Sequence, residues 1–184
     1  WKLASRNRNL KSLTMTDENG NAISDNLNKA ELININTSFD LPDVAATLQV
    51  QYIIKGSGEI FIETAVTGLK EDAPDLPRFG NIVTLPEAFH HVKWYGRGLH
   101  ENYWDRKTAA FVAEYTSIVD DLYVPYVRPQ ENGYRTDVRW ISLTNNAGEG
   151  ILIEGTDLLS FSALHFTIED LDAGDHRTGH TYDL

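Results

Sequence analysis

Period-two alternation of apolar and polar residues constrains this chain more than any other feature. In LQVQYII, Leu48, Val50, Tyr52 and Ile54 fall on one side of an extended chain while Gln49 and Gln51 fall on the other. The turn sequence KGSG follows, and in EIFIETAV (59–66) Ile60, Ile62 and Val66 again share a face. Two alternating runs joined by a short glycine loop predict an antiparallel hairpin. Further strands are expected at Leu10–Thr16, Glu31–Phe39, Phe79–Leu85, Val92–Tyr95, Thr136–Thr144, Gly150–Glu154 and Ser160–Phe166. DENGN, EDAPDLPR and NNAGEG read as the turns between them. Lys107–Ile118 is ambiguous, and its Thr, Tyr, Phe and Val favour strand. Thr167 and Asp170 in TIED are spaced to cap one helical turn. Short strands at intervals of roughly 8–12 residues predict an all-β fold, an antiparallel β-sandwich or barrel. No repeat or long linker splits the 184 residues, so a single domain over 1–184 is expected.

Composition removes several function classes. Sixteen basic against 27 acidic residues give a net charge of -11, which disfavours nucleic acid and anionic membrane surfaces as partners. Neutral ligands such as sugars remain compatible. With no cysteine there is no disulfide, thiolate nucleophile or Cys-type zinc site. No apolar run reaches the ~18 residues of a membrane span. WKLASRNRNL lacks the apolar core of a signal peptide, and beginning at Trp1 reads as a cut within a longer protein. The compartment stays open between cytoplasm and periplasm.

Two segments concentrate polar and aromatic residues: YGRGLHENYWDRK (95–107) and VPYVRPQENGYRTDVRW (124–140). Aromatic faces stack on sugar C–H surfaces, and Asn, Glu and Arg hydrogen-bond hydroxyls, so a carbohydrate site would use this mixture. The substrate-binding candidates are His100, Glu101, Asn102, Tyr103, Asp105, Arg106, Glu131 and Asn132. Glu101 and Glu131 also raise a retaining-glycosidase reading, which requires carboxyls about 5–5.5 Å apart. Spacing along the chain carries little weight for that, and loop packing accounts for both residues. Asp105 and Arg106 are expected to be structural, bonded to the PQENG loop or adjacent backbone. His176 and His180 would share a helical face for a metal, but DAGDHRTGH reads as loop; adjacent His90 and His91 point apart on a strand. No metal or other cofactor is expected. Ser117, Asp121 and His100 lack a nucleophile elbow, and GRG at Gly96 is too short for a phosphate loop.

WYGRGLHENYWDRK, DLYVPYVRPQENGYRTDVRW and LLSFSALHFTIEDL, with LPRFG at Leu76 and HTYDL at His180, closely resemble the C-terminal sandwich domain of family-two glycoside hydrolases, the large β-galactosidases. The resemblance runs over almost the whole chain and is densest from Leu76 onwards. It implies an antiparallel supersandwich similar to galactose mutarotase, outside a (β/α)8 barrel that carries both catalytic glutamates. The parent enzyme it implies hydrolyses terminal β-D-galactosides such as lactose with retention. The family's acid/base lies in an Asn-Glu dipeptide, whereas both dipeptides here are Glu-Asn, so no catalytic residue is assigned. A stretch near Phe39–Val44 is implied to approach the active site.

Relatives carry proline where this chain has Leu99 and Trp104, which sets that loop less rigidly here. The resemblance also implies that the domain continues past Leu184, so that this chain is its larger, N-terminal part. Partners so implied are the remaining domains of the parent, with a β-galactoside or galactose as ligand. Copies are expected to self-associate through uncovered edges or an apolar sheet face, or else to show an incomplete sandwich with abnormal apolar exposure. Two alternatives stand beside a non-catalytic β-galactosidase domain. One is an independent carbohydrate-binding module using Tyr103, Trp104, Tyr126 and Trp140; the other is an aldose mutarotase pairing His100 or His165 with Glu101 or Glu131.

Overall fold

A computed structural model describes residues 1, 3–23, 30–126 and 131–171. The expected His176/His180 pair and HTYDL lie outside the described residues. The chain divides into two compact units, Trp1–Ile82 and Val83–Leu184, each built on one four-stranded antiparallel sheet. The all-β class expected from alternation is what the structure shows, with one four-residue helix among the described residues. No helix there is long and apolar enough to cross a membrane.

In the first unit, β1 (Asn9–Thr16), β2 (Leu32–Leu41), β3 (Ala46–Lys55) and β4 (Ile60–Thr67) form a meander in chain order. Strands β3 and β4 are the predicted hairpin, with Tyr52 opposite Ile62 and the turn closed by Gly58 at φ 93°. Register sorts the side chains cleanly. Rows such as Met15–Ile35–Tyr52–Ile62 and Leu10–Phe39–Leu48–Val66 give one face an apolar surface across all four strands. The opposite face carries rows such as Thr14–Asn36–Gln51–Glu63. On the apolar face Leu10, Leu13, Ile60 and Ile62 remain exposed, and only Leu41 and Ala46, at one end, are buried. The stretch near Phe39–Val44 is the end of β2 followed by a 3-10 turn at Pro42–Val44.

The second unit orders its strands β6-β5-β7-β8: β5 (His91–Arg97), β6 (Val112–Ile118), β7 (Arg135–Thr144) and β8 (Gly150–Phe161). Alternation on β5 buries Val92 and Trp94 and leaves His91, Lys93 and Tyr95 outward. Trp94 is 0% exposed, stacks on Tyr115 with centroids 5.4 Å apart and meets Phe161 edge-on at 5.7 Å. Val92, Val119, Leu122, Val138 and Ile141 complete this core. Thr167 and Asp170 cap α1 (Ile168–Leu171) reciprocally: the Thr167 N–H donates to Asp170 Oδ2 at 2.7 Å and the Asp170 N–H to Thr167 Oγ1 at 3.2 Å.

Two expected strands are corrected. Phe79–Leu85 is not a strand: it lies between Pro77 and Pro86, Phe79, Ile82 and Val83 are exposed, and no strand among the described residues pairs with it. Ser160–Phe166 is not a separate strand either. Ser160 and Phe161 end β8, whose pairing jumps from Trp140↔Glu154 to Val138↔Leu159, so residues 155–158 bulge between two paired halves.

Candidate functional site

The loop 98–111 joins β5 to β6, and the segment 119–134 returns the chain to the start of β7. Both polar-aromatic segments therefore meet at one end of the second sheet. The glycines of WYGRG serve packing rather than phosphate binding. A Cβ on Gly96 would lie 2.6 Å from Val138 Cγ2, and one on Gly98 would lie 2.8 Å from Trp94 Cζ2. The Trp94 Nε1–H donates to the Arg97 carbonyl at 3.1 Å, so the indole fixes the backbone where the loop leaves the strand.

Glu101 links the two segments, with its side chain only 7% exposed. Its carboxylate accepts from the Tyr126 hydroxyl, from the Gly133 N–H at 2.9 Å and from Arg106 Nη2 at 2.8 Å. The Tyr103 hydroxyl lies within donating distance of Glu101 Oε2 (3.3 Å) and the Glu131 carbonyl (3.2 Å). Burial pushes the Glu101 carboxyl up, but bonds from Tyr126, Gly133 and Arg106 and the arginine's charge outweigh it, leaving the pKa below the ordinary value. The Tyr103 phenol is pushed up by burial and by the charges of Glu101 and Glu131. Its ring stacks on Tyr134 at 5.3 Å, with the Arg106 guanidinium 4.4 Å from the centroid.

The two Asn residues of the Glu-Asn pairs play parallel parts. Asn102 is buried; its Oδ1 accepts from the Thr136 N–H (3.1 Å) and hydroxyl (2.6 Å), and its Nδ2 donates to the His100 carbonyl at 3.2 Å. Buried Asn132 accepts from the Val124 N–H at 2.8 Å and donates to the Val124 carbonyl, standing in for a β-ladder partner. Arg106 bonds Glu101 and Tyr126 Oη (2.9 Å) rather than the PQENG loop or adjacent backbone expected of it, and Asp105 is exposed. His100 and Glu131 are exposed as well. Of the eight candidates, Glu101, Tyr103 and Arg106 form one cluster, and Asn102 and Asn132 are buried clamps beside it.

Four residues that the sequence did not single out complete the arrangement. Buried Asp137, held at φ 52°, receives Arg97 Nε at 2.5 Å and Lys107 Nζ at 2.9 Å. Burial raises the Asp137 carboxyl, but bonds and charge from Arg97 and Lys107 outweigh this and hold it below the ordinary value. Arg97 Nη1 also donates to the carbonyls of Lys107 (3.2 Å) and Ala110 (2.7 Å), tying down the loop's far side. Arg135, 3% exposed, donates to Leu99 O (3.1 Å), Leu122 O (3.4 Å) and Gly133 O (2.6 Å), with its guanidinium 5.5 Å from the Trp94 ring centre. Burial lowers its pKa to about 10. These pairings span up to 40 residues, and the only sequence signal was their position inside the two dense segments. Among the described residues no three His, Asp or Glu side chains gather as a metal site.

A general acid needs a carboxyl whose pKa is raised, and both carboxyls of the network are depressed by cations and donors.

Comparison with known proteins gives this geometry a family. The family model described as "Beta galactosidase small chain" matches residues 1–184. A β-galactosidase of Priestia megaterium is 36% identical over 176 residues, covering 96% of this chain and 16% of that protein. Those of Vibrio cholerae (39% over 120 residues, 65% of this chain) and Lactobacillus delbrueckii subsp. bulgaricus (34% over 150 residues, 80% of this chain) are similar too. In these three the matched part is 11–16% of the relative's own length. The chain belongs to the β-galactosidase small-chain family.

Proposed function

We propose that this chain is a non-catalytic domain of a longer β-galactosidase, one that packs on a separate catalytic barrel and helps complete its active site. The parent then hydrolyses terminal β-D-galactosides with retention. The engagement of Glu101 carries the proposal: a nearly buried carboxylate that accepts bonds from Tyr126, Gly133 and Arg106 is committed to shaping two loops. Glu101, Asn102 and Asn132 are thus loop-setting residues, while His100, Asp105 and Glu131 are exposed and are the candidates to face a galactoside. The small share of the relatives' length that is matched supports placing the reacting groups elsewhere in the parent. The exposed apolar face of the first sheet supports the expectation that separated copies associate.

The purified 184-residue chain is expected to show no turnover of a chromogenic galactoside. Turnover that survives purification and disappears in Glu101→Gln or Glu131→Gln would overturn the proposal.

A further inference from the structure

The outer face of the second sheet carries a surface that the Glu101 cluster does not use, and the strand register places its residues. Glu114, Tyr95, Trp140 and Glu154 lie side by side across all four strands, and Thr116, Lys93, Ser142 and Leu152 form the row beside them. The opposite face holds the row Tyr115–Trp94–Ile141–Ile153, which belongs to the core. Two aromatic rings are therefore neighbours on the outer face, with a carboxylate on each side. Tyr95 and Glu154 are exposed and Trp140 is half-buried. Each ring has a cation beside it: Arg139 Cζ lies 5.3 Å from the Tyr95 ring centre and Lys93 Nζ 5.5 Å from that of Trp140.

Hydrogen bonding separates this face from the loops, where Glu101, Asn102 and Asn132 are committed inward. Lys93 pairs with Glu114 at 2.9 Å. The Tyr95 hydroxyl, the Trp140 indole N–H and the Glu154 carboxylate, by contrast, have no hydrogen-bond partner among the described residues. We propose that Tyr95, Trp140 and Glu154 bind a neutral hexopyranoside, the rings packing on its C–H face and the free groups meeting its hydroxyls. A β-galactopyranoside presents H3, H4 and H5 on one side of its ring, an apolar patch of the size of an indole, and hydroxyls around its rim. Lys93 and Arg139 balance Glu114 and Glu154, so the face has no net charge with which to draw in an ionic ligand. A second copy of the chain is the poorer occupant, because it would bury Glu154 without a partner. The site belongs to this chain and holds whether or not the chain serves a larger enzyme.

Saturation-transfer NMR of the 184-residue chain with methyl β-D-galactopyranoside tests the assignment. Transfer is expected to be strongest at H3, H4 and H5, with a Kd of about 1–10 mM, as suits one sugar ring on an open face. Trp140→Ala is expected to weaken binding at least about ten-fold. Because that variant removes a half-buried ring, Glu154→Ala at an exposed position gives a second reading, with an expected loss of about three-fold or more. Trp104→Ala, on the loop 98–111, is expected to bind as the unsubstituted chain does. Absence of transfer at about 50 mM sugar overturns the site. So does transfer that survives both Trp140→Ala and Glu154→Ala, or that is lost instead in Trp104→Ala, which would move the sugar to the loop.

Discussion

Replacing Glu101 by Gln keeps the side chain's shape and removes its charge, which tests whether this carboxylate joins the two loops. Three donors converge on it from Tyr126, Gly133 and Arg106. Hydrogen bonds to a charged group contribute on the order of 1.5–3 kcal/mol each and are not additive. Arg106 is half exposed, so solvent screening holds its share to under about 1 kcal/mol. A Gln also turns an NH2 donor toward groups that themselves donate. The net loss expected is about 3 kcal/mol, which lowers a urea midpoint by about 1–2 M. Tryptophan fluorescence reads this directly, since Trp94 lies in the same core. Asp105→Asn, an exposed neighbour, is the control and is expected to stay within about 0.5 kcal/mol of the parent sequence. A Glu101→Gln shift as small as the control's would refute the linking role.

Three further outcomes follow from the same geometry. Gly98→Ala places a Cβ 2.8 Å from Trp94 Cζ2 and should cost about 1–3 kcal/mol in urea unfolding; a neutral result would mean that the indole can move aside. Asn102→Ala leaves the buried Thr136 N–H and hydroxyl without their acceptor and should cost about 2–4 kcal/mol; a loss under about 1 kcal/mol would place water there instead. Glu101 and Asp137 have carboxyls depressed from 4.5 and 3.8 in the folded chain, so their stabilisation is complete above those values and is lost as pH falls through the lower folded ones. The unfolding free energy should therefore hold from pH 7 to about 5 and decline below about 4.5; an equal value at pH 7 and pH 3 would contradict this.

What the sequence made legible follows the range of its signals. Alternation placed the β3–β4 hairpin within a residue or two, because strand period and glycine turn are local. The same reading failed at Phe79–Leu85, where apolar residues cluster between two prolines but form no strand. At Gly155 it broke one long strand in two, since a bulge and a chain end look alike without the partner strand. The dense segments drew the eye to Glu101 and Arg106. Their sense, a carboxylate bonded inward, depended on Tyr126 and Gly133, 25 and 32 residues away. The Asp137 cluster stayed invisible for the same reason, because Arg97 lies 40 residues distant.

We propose that a chain of this family serves a separate catalytic centre without supplying its reacting groups. Galactoside turnover by the full-length parent, measured with and without the segment 1–184, tests it most directly. Deletion is expected to lower kcat/KM by at least about a hundred-fold, as loss of an active-site wall can, and adding the segment back as a separate chain to restore part of it. An unchanged kcat/KM after deletion, or turnover by the segment alone, would contradict it.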